Sequence, residues 1–207
     1  MVGYSEFLIG FDARVPSVTI RNSWGPERVE QYLLKEVPSP LSVDVIVWPD
    51  VFHAGGIQLP DWVGPRQWLW DSLQRLQEHV ETVKPVMPYW TIAVSQWLPE
   101  NEIAMLKSDY RIEPSSVRTQ WTLLGFDVAD YYLLSGLMNA GYTDSERETY
   151  RQDWGHHLNR HHLFEDLDTA LKFKVLTDER VQEHSPFYVY GIYLVEQVGL
   201  SSRTAPK

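Results

Sequence analysis

The chain has 207 residues, 43% of them hydrophobic and 22% charged, with nine tryptophans, no cysteine and a formal charge of −10. The absence of cysteine excludes disulfides, thiolate metal sites and a Cys nucleophile, and fits a reducing cytoplasm. The acidic balance repels phosphate backbones, which argues against direct nucleic-acid binding and for a basic partner, while the aromatic surplus supplies apolar anchors for a core or an interface.

In chain order, residues 1–10 carry neither the basic n-region nor the unbroken apolar h-region of a secretory signal. No window approaches the ~18 consecutive apolar residues of a membrane span. Both observations point to a soluble, cytoplasmic protein with no membrane partner. Residues 5–14 and 17–20 read as strands. Pro26, following Ser23 and Gly25, opens a helix with Val29, Tyr32, Leu33 and Val37 at helical spacing, and Ser39-Pro40 stops it. Residues 41–48 are rich in β-branched side chains and form a strand ended by Pro49. Residues 52–65, punctuated by Gly55-Gly56, Pro60, Gly64 and Pro65, read as a loop. Asp61 and Trp62 at its tip are candidate contacts, because exposed loops carry much of protein recognition.

Trp68, Leu69, Leu73, Leu76, Val80 and Val83 predict an amphipathic helix, closed by Pro85 and Pro88. Residues 89–97 form a strand, and Pro99-Glu100 opens a short helix reaching about Tyr110. Residues 121–126 read as a strand and 128–138 as a buried helix. Thr143-Asp144-Ser145-Glu146 has capping-box spacing and starts a helix that reaches the histidines near 156. A further helix covers 163–176, and 186–195 reads as a strand or a buried mixed segment. No repeat or heptad run occurs. The expectation is an α+β fold, a single compact domain over residues 1–200 with a mixed or antiparallel sheet packed by several amphipathic helices. Residues 201–207 form a flexible tail.

His156-His157-Leu158-Asn159-Arg160-His161-His162 is the one motif that suggests metal chemistry. On a helix, His157 and His161 share a face, with His184, Asp153 or Glu165 as a third ligand. The glutamate of the His-Glu-x-x-His pattern is missing, and Arg160 adds positive charge beside any cation. Imidazoles capping a helix end or bonding carboxylates are the structural alternative, so no metal, cofactor or catalytic residue is assigned. No Gly-x-Ser-x-Gly elbow and no phosphate-binding loop is present. Nothing in the residues specifies an enzyme.

Residues 144–183 hold ten acids against six Lys and Arg, a local net of −4. Asp144, Glu146, Glu148 and Asp153 flank Trp154, with Glu165 and Asp166 farther along. Carboxylates interleaved with aromatic anchors can dock on a basic surface, where charge steers encounter and the aromatics hold it. Solvated helix faces, with Arg147 and Arg151 neutralising neighbours, would account for the same pattern.

The run Trp121-Thr122-Leu123-Leu124-Gly125-Phe126-Asp127-Val128-Ala129-Asp130 and its continuation to Leu137 resemble polymorphic-toxin immunity proteins, small bacterial proteins encoded beside secreted toxins. So do Leu163-Phe164-Glu165-Asp166, Glu183-His184-Ser185-Pro186-Phe187-Tyr188-Val189-Tyr190-Gly191, Trp24-Gly25-Pro26 and Val43-Asp44-Val45-Ile46-Val47-Trp48-Pro49-Asp50. Within that group the chain resembles immunity family fifty-two, whose partners are toxins of restriction-endonuclease-like fold, some delivered by type VI secretion. The resemblance implies a protein that binds and neutralises a cognate nuclease toxin, by blocking its basic cleft, its assembly or its active site from a distance. It carries over no binding residue. The alternatives are a metal-dependent enzyme using His157 and His161, and an effector adaptor or chaperone.

Overall fold

The computed structural model describes residues 3–14, 69–70, 72–83, 89–102, 118–130, 136, 152–161 and 163–198. Outside these residues lie the expected strands 17–20 and 41–48, the helix from Pro26, the loop 52–65, the capping box at 143–146 and the tail 201–207.

The described residues form an α+β structure. β1 (Tyr4–Arg14), β2 (Tyr89–Pro99), β3 (Thr122–Ala129) and β4 (Tyr188–Val198) build one sheet in the order β1-β2-β4-β3, every neighbouring pair antiparallel. Two helices, α1 (Leu73–Val83) and α2 (Leu167–Arg180), pack on it. No helix among the described residues is long and apolar enough to cross a membrane.

Both faces of the sheet are buried, which explains why β2 reads as an almost unbroken apolar run. One face carries Phe7, Ile9, Ile92, Val94, Tyr190 and Ile192. The other holds two clusters. In the first, Leu76 and Val80 of α1 meet Leu8, Phe11, Ala93 and Tyr193. In the second, Ala170 and Phe173 of α2 meet Phe126, Val128 and Val189. Each fully buried large side chain contributes about 1.5–3 kcal/mol relative to exposure, and Phe164, Phe173, Phe187 and Tyr190 lead that group.

Short segments pair with both outer strands. Phe11 and Trp70 exchange backbone hydrogen bonds of 2.9 and 2.8 Å, and Phe126 and Phe164 do the same at 2.9 and 2.8 Å. These contacts occupy backbone groups that a sheet edge would otherwise leave open. They also correct two expected helix starts. Leu69 and Trp70 run beside β1, so α1 starts only at Leu73, where the Ser72 hydroxyl accepts from the Arg75 amide at 3.2 Å. Leu163 and Phe164 run beside β3, so α2 starts at Leu167 and continues past the expected end to Arg180.

A third correction concerns residues 128–138. Val128 and Ala129 complete β3 against Val189 and Tyr188 instead of opening a helix. Gly136 donates its amide to the Val128 carbonyl at 2.7 Å, and the other residues of 130–138, apart from Asp130, lie outside the described set. A continuous apolar run has no polar face to report its period, so buried strand and buried helix read alike.

Gly125 sits at a bulge in β3 with φ +146°, a backbone that side chains rarely adopt. A β-carbon there would lie 2.7 Å from Leu163 Cβ and 2.9 Å from the Phe164 carbonyl. The glycine therefore lets the 159–164 segment close on the strand. Asn159 fastens it, donating to the Leu124 carbonyl at 2.6 Å and accepting from the His161 amide at 2.8 Å.

Candidate functional site

The acidic segment is built around the start of α2. Residues 152–154 are helical, Gly155–His157 form a 3-10 turn, and Leu158 is extended at φ −96°, ψ 137°. The Glu165 amide donates to the His157 carbonyl at 3.3 Å, which draws the start of α2 beside that turn. Asp153, Glu165, Asp166 and Asp168 are exposed there, and Glu179 and Glu183 are exposed near the far end of α2.

Their chemistry differs. Asp166 caps α2: Oδ1 accepts from the Thr169 amide and Oδ2 from the Thr169 hydroxyl, both at 2.8 Å. The amide bond first, then the hydroxyl, with help from Lys172 and His157, hold its carboxyl below the usual carboxylate range. Asp168 lies in the same first turn, where the helix dipole favours an anion. Asp178 is committed inside the fold. It accepts from Lys174 Nζ at 2.6 Å, the Ser185 hydroxyl at 3.0 Å and the Phe187 amide at 2.7 Å. Asp153, Glu165, Glu179 and Glu183 are exposed acids without such a capping or structural role, Glu183 lying 4.0 Å from His184 Nε2. Trp154 is half-buried, with its ring against Phe173 (5.2 Å) and Phe164 (6.3 Å), so much of its surface serves packing. Asp144, Glu146, Glu148, Asp61 and Trp62 lie outside the described residues.

The helical pairing of His157 with His161 does not form, because the helix ends before Leu158. The His157 ring lies tilted against Trp154, with centroids 5.7 Å apart, and against His156 at 4.0 Å. His161 instead lies edge-on to Trp90 at 5.8 Å, and the Arg160 Nε donates to its Nε2 at 3.2 Å. Among the described residues no group of three His, Asp or Glu side chains is arranged to hold a metal ion.

Two polar groupings were not anticipated. His184, half-buried, faces the buried Asp130 with Nδ1 3.2 Å from Oδ2, and Tyr190 Oη donates to the Asp130 carbonyl at 3.2 Å. This joins the α2–β4 turn to the end of β3. The second spans three strands at the seam between the α1 and α2 clusters. Glu6 Oε1 accepts from Ser95 Oγ at 2.5 Å and Tyr193 Oη at 2.6 Å. Burial first, then the bond to Glu6 and its charge, push the Tyr193 hydroxyl above the usual phenol range.

Gly191 makes this second grouping possible. A β-carbon there would meet Ser95 Oγ at 2.6 Å, and Glu6 Oε1 and Tyr193 Cε2 at 3.1 Å each. Ring carbon Cε2 of Tyr193 takes up part of the space that a side chain at Gly191 would fill. The sequence signal was a polar residue or a glycine within an apolar strand: Glu6 beside Phe7-Leu8-Ile9, Ser95 within Ala93-Val94-Ser95-Gln96-Trp97, and Gly191 between Tyr190 and Ile192.

Comparison with models of known protein families, with curated proteins and with solved structures finds no match.

Proposed function

We propose that the chain is an immunity protein that binds a cognate secreted antibacterial toxin, a nuclease with a basic cleft, and neutralises it in the cytoplasm of the producing cell. The observation that carries this reading is the disposition of charge. The chain has a formal charge of −10, and Asp153, Glu165, Glu179 and Glu183 face solvent, while Phe164, Ala170, Phe173 and Val181 between them are buried in the core and Val175 stays exposed beside the acids. A rigid acidic surface attracts a DNA-binding cleft by the same long-range field that attracts phosphate, and holds there by displacing it. Asp166 and Asp168 belong to the same patch but also stabilise α2, so their substitution weakens the fold as well as the charge. The resemblance to toxin-associated immunity proteins gives the partner its class.

The test is co-expression of the chain with the secreted toxin encoded beside it, scored for growth and co-purification. An immunity protein restores growth. An adaptor co-purifies without restoring it. Charge reversal of Asp153, Glu165 and Glu183 to lysine weakens the complex, and the remaining affinity falls less steeply with salt than that of the native protein, since screening acts over about 8 Å at 0.15 M ionic strength. Affinity indifferent to salt and to the reversals removes cleft competition as the mechanism.

A further inference from the structure

We propose that the half-buried Glu6 carboxylate is a receptor for a primary ammonium group, a lysine side chain of a protein partner. Three observations lead there. First, Glu6 is uncompensated: its partners are two neutral hydroxyls, and no Lys, Arg or His is paired with it among the described residues. Second, both hydroxyls converge on Oε1, so Oε2 accepts no hydrogen bond among the described residues. Third, the cluster is positioned rather than incidental, since Gly191 leaves room for Ser95 and Tyr193 to fix the carboxylate from two further strands.

The open atom selects the ligand. A carboxylate takes a guanidinium best with one N–H to each oxygen, but Oε1 already has both acceptor sites filled. What remains is end-on contact at Oε2, which suits a compact ammonium with three donors rather than a planar fork. Glu100, whose amide donates to the Gly3 carbonyl at 3.0 Å and whose carboxylate accepts from Ser5 Oγ at 3.3 Å, adds negative charge at the same end of β1. Tyr193 remains a donor across the neutral range, because its hydroxyl is held protonated.

The first test uses the native protein alone, so it does not depend on the immunity reading. The carboxyl carbon resonance of Glu6 is followed during titration with n-butylammonium, n-butylguanidinium and n-butanol. A saturable shift with n-butylammonium, weaker with n-butylguanidinium and absent with n-butanol, is the expected result. No saturable shift with n-butylammonium, or a stronger one with n-butylguanidinium, overturns the proposal. The second test rests on the immunity reading and uses Glu6→Gln, which retains an acceptor for both hydroxyls and loses only the charge. Affinity for the co-expressed toxin falls about tenfold or more, as expected when one member of a close charge pair is lost, while the thermal midpoint stays near the native value. Unchanged affinity means that the cluster only ties the strands together. If the toxin does not bind the native chain at all, the immunity reading fails and the n-butylammonium titration still decides this one.

Discussion

Gly191→Ala tests whether the polar cluster on the sheet is as tightly fitted as its distances indicate. The added methyl lies 2.6 Å from Ser95 Oγ and 3.1 Å from Glu6 Oε1 and Tyr193 Cε2. A 2.6 Å approach cannot persist, and Ser95 is fully buried. The least costly escape is rotation of the serine hydroxyl away, which breaks its 2.5 Å bond to Glu6. A hydrogen bond to a charged group contributes about 1.5–3 kcal/mol. Alanine restricts the unfolded chain and returns about 0.4–1 kcal/mol. The net expected loss is about 1–2 kcal/mol, on the same scales. In a Ser95→Ala background the obstructing oxygen is gone, so Gly191→Ala there costs less than about 0.5 kcal/mol and the two changes couple by about 1–2 kcal/mol. Urea unfolding of the four proteins, with unchanged denaturant slope, reads these values directly. A neutral Gly191→Ala together with additivity within about 0.5 kcal/mol would show that the cluster is not tightly fitted.

Four further outcomes are expected from the geometry. Asp166→Ala lowers stability by about 1 kcal/mol and Asp166→Asn by much less, because asparagine caps nearly as well; equal losses in thermal unfolding would show that charge, not the cap, matters. Since the folded Asp166 carboxyl lies below its usual value, its stabilisation is present above the unfolded pKa and lost as pH falls through the folded one, so native protein and Asp166→Ala converge in acid. At the other extreme, the Tyr193 and Tyr89 hydroxyls are raised above the ordinary phenol value of 10.0. Their contribution holds below that pH and declines as pH rises above it, and Tyr193→Phe flattens the decline measured by chemical unfolding. Finally, His157→Ala with His161→Ala leaves zinc binding by calorimetry unchanged, because the two rings stand in different surroundings; a drop of tenfold or more would show that they do share a metal.

The strands were the legible part of the fold. Residues 5–14, 89–97 and 121–126 alternate or run apolar between clear breakers, and each contains most of an observed strand. Helix starts were less legible, for one reason that applies twice. Leu69-Trp70 and Leu163-Phe164 carry apolar side chains in helical phase with α1 and α2, yet the backbone of each pairs with an outer strand. Periodicity reports which side chains are buried and not what their amides bond. The true start signals were Ser72 and Asp166, short polar side chains that accept from amides three residues on. The histidine run failed differently: its face-sharing pair depended on helix continuing through Leu158, which the extended backbone there interrupts.

Of the candidate site, local features were readable and long-range ones were not. The exposed acids at Asp153 and Glu165 accord with sequence patterning. Nothing in one sequence announces that Glu6 and Tyr193, 187 positions apart, share a hydrogen bond, or that Asp130 meets His184 across 54 positions. Those contacts are created by the β1-β2-β4-β3 order, which places β4 inside the sheet. Glu6 was visible only as a charge near the start of an apolar strand.

The proposed role of this acidic chain is to neutralise a toxin by binding it. The decisive experiment is growth of a bacterial host that expresses the neighbouring toxin, with and without the chain, combined with co-purification of the two. Restored growth and a stable complex that weakens as salt rises are the expected outcome. Continued toxicity in the presence of well-folded chain, with no complex recovered, would contradict that role.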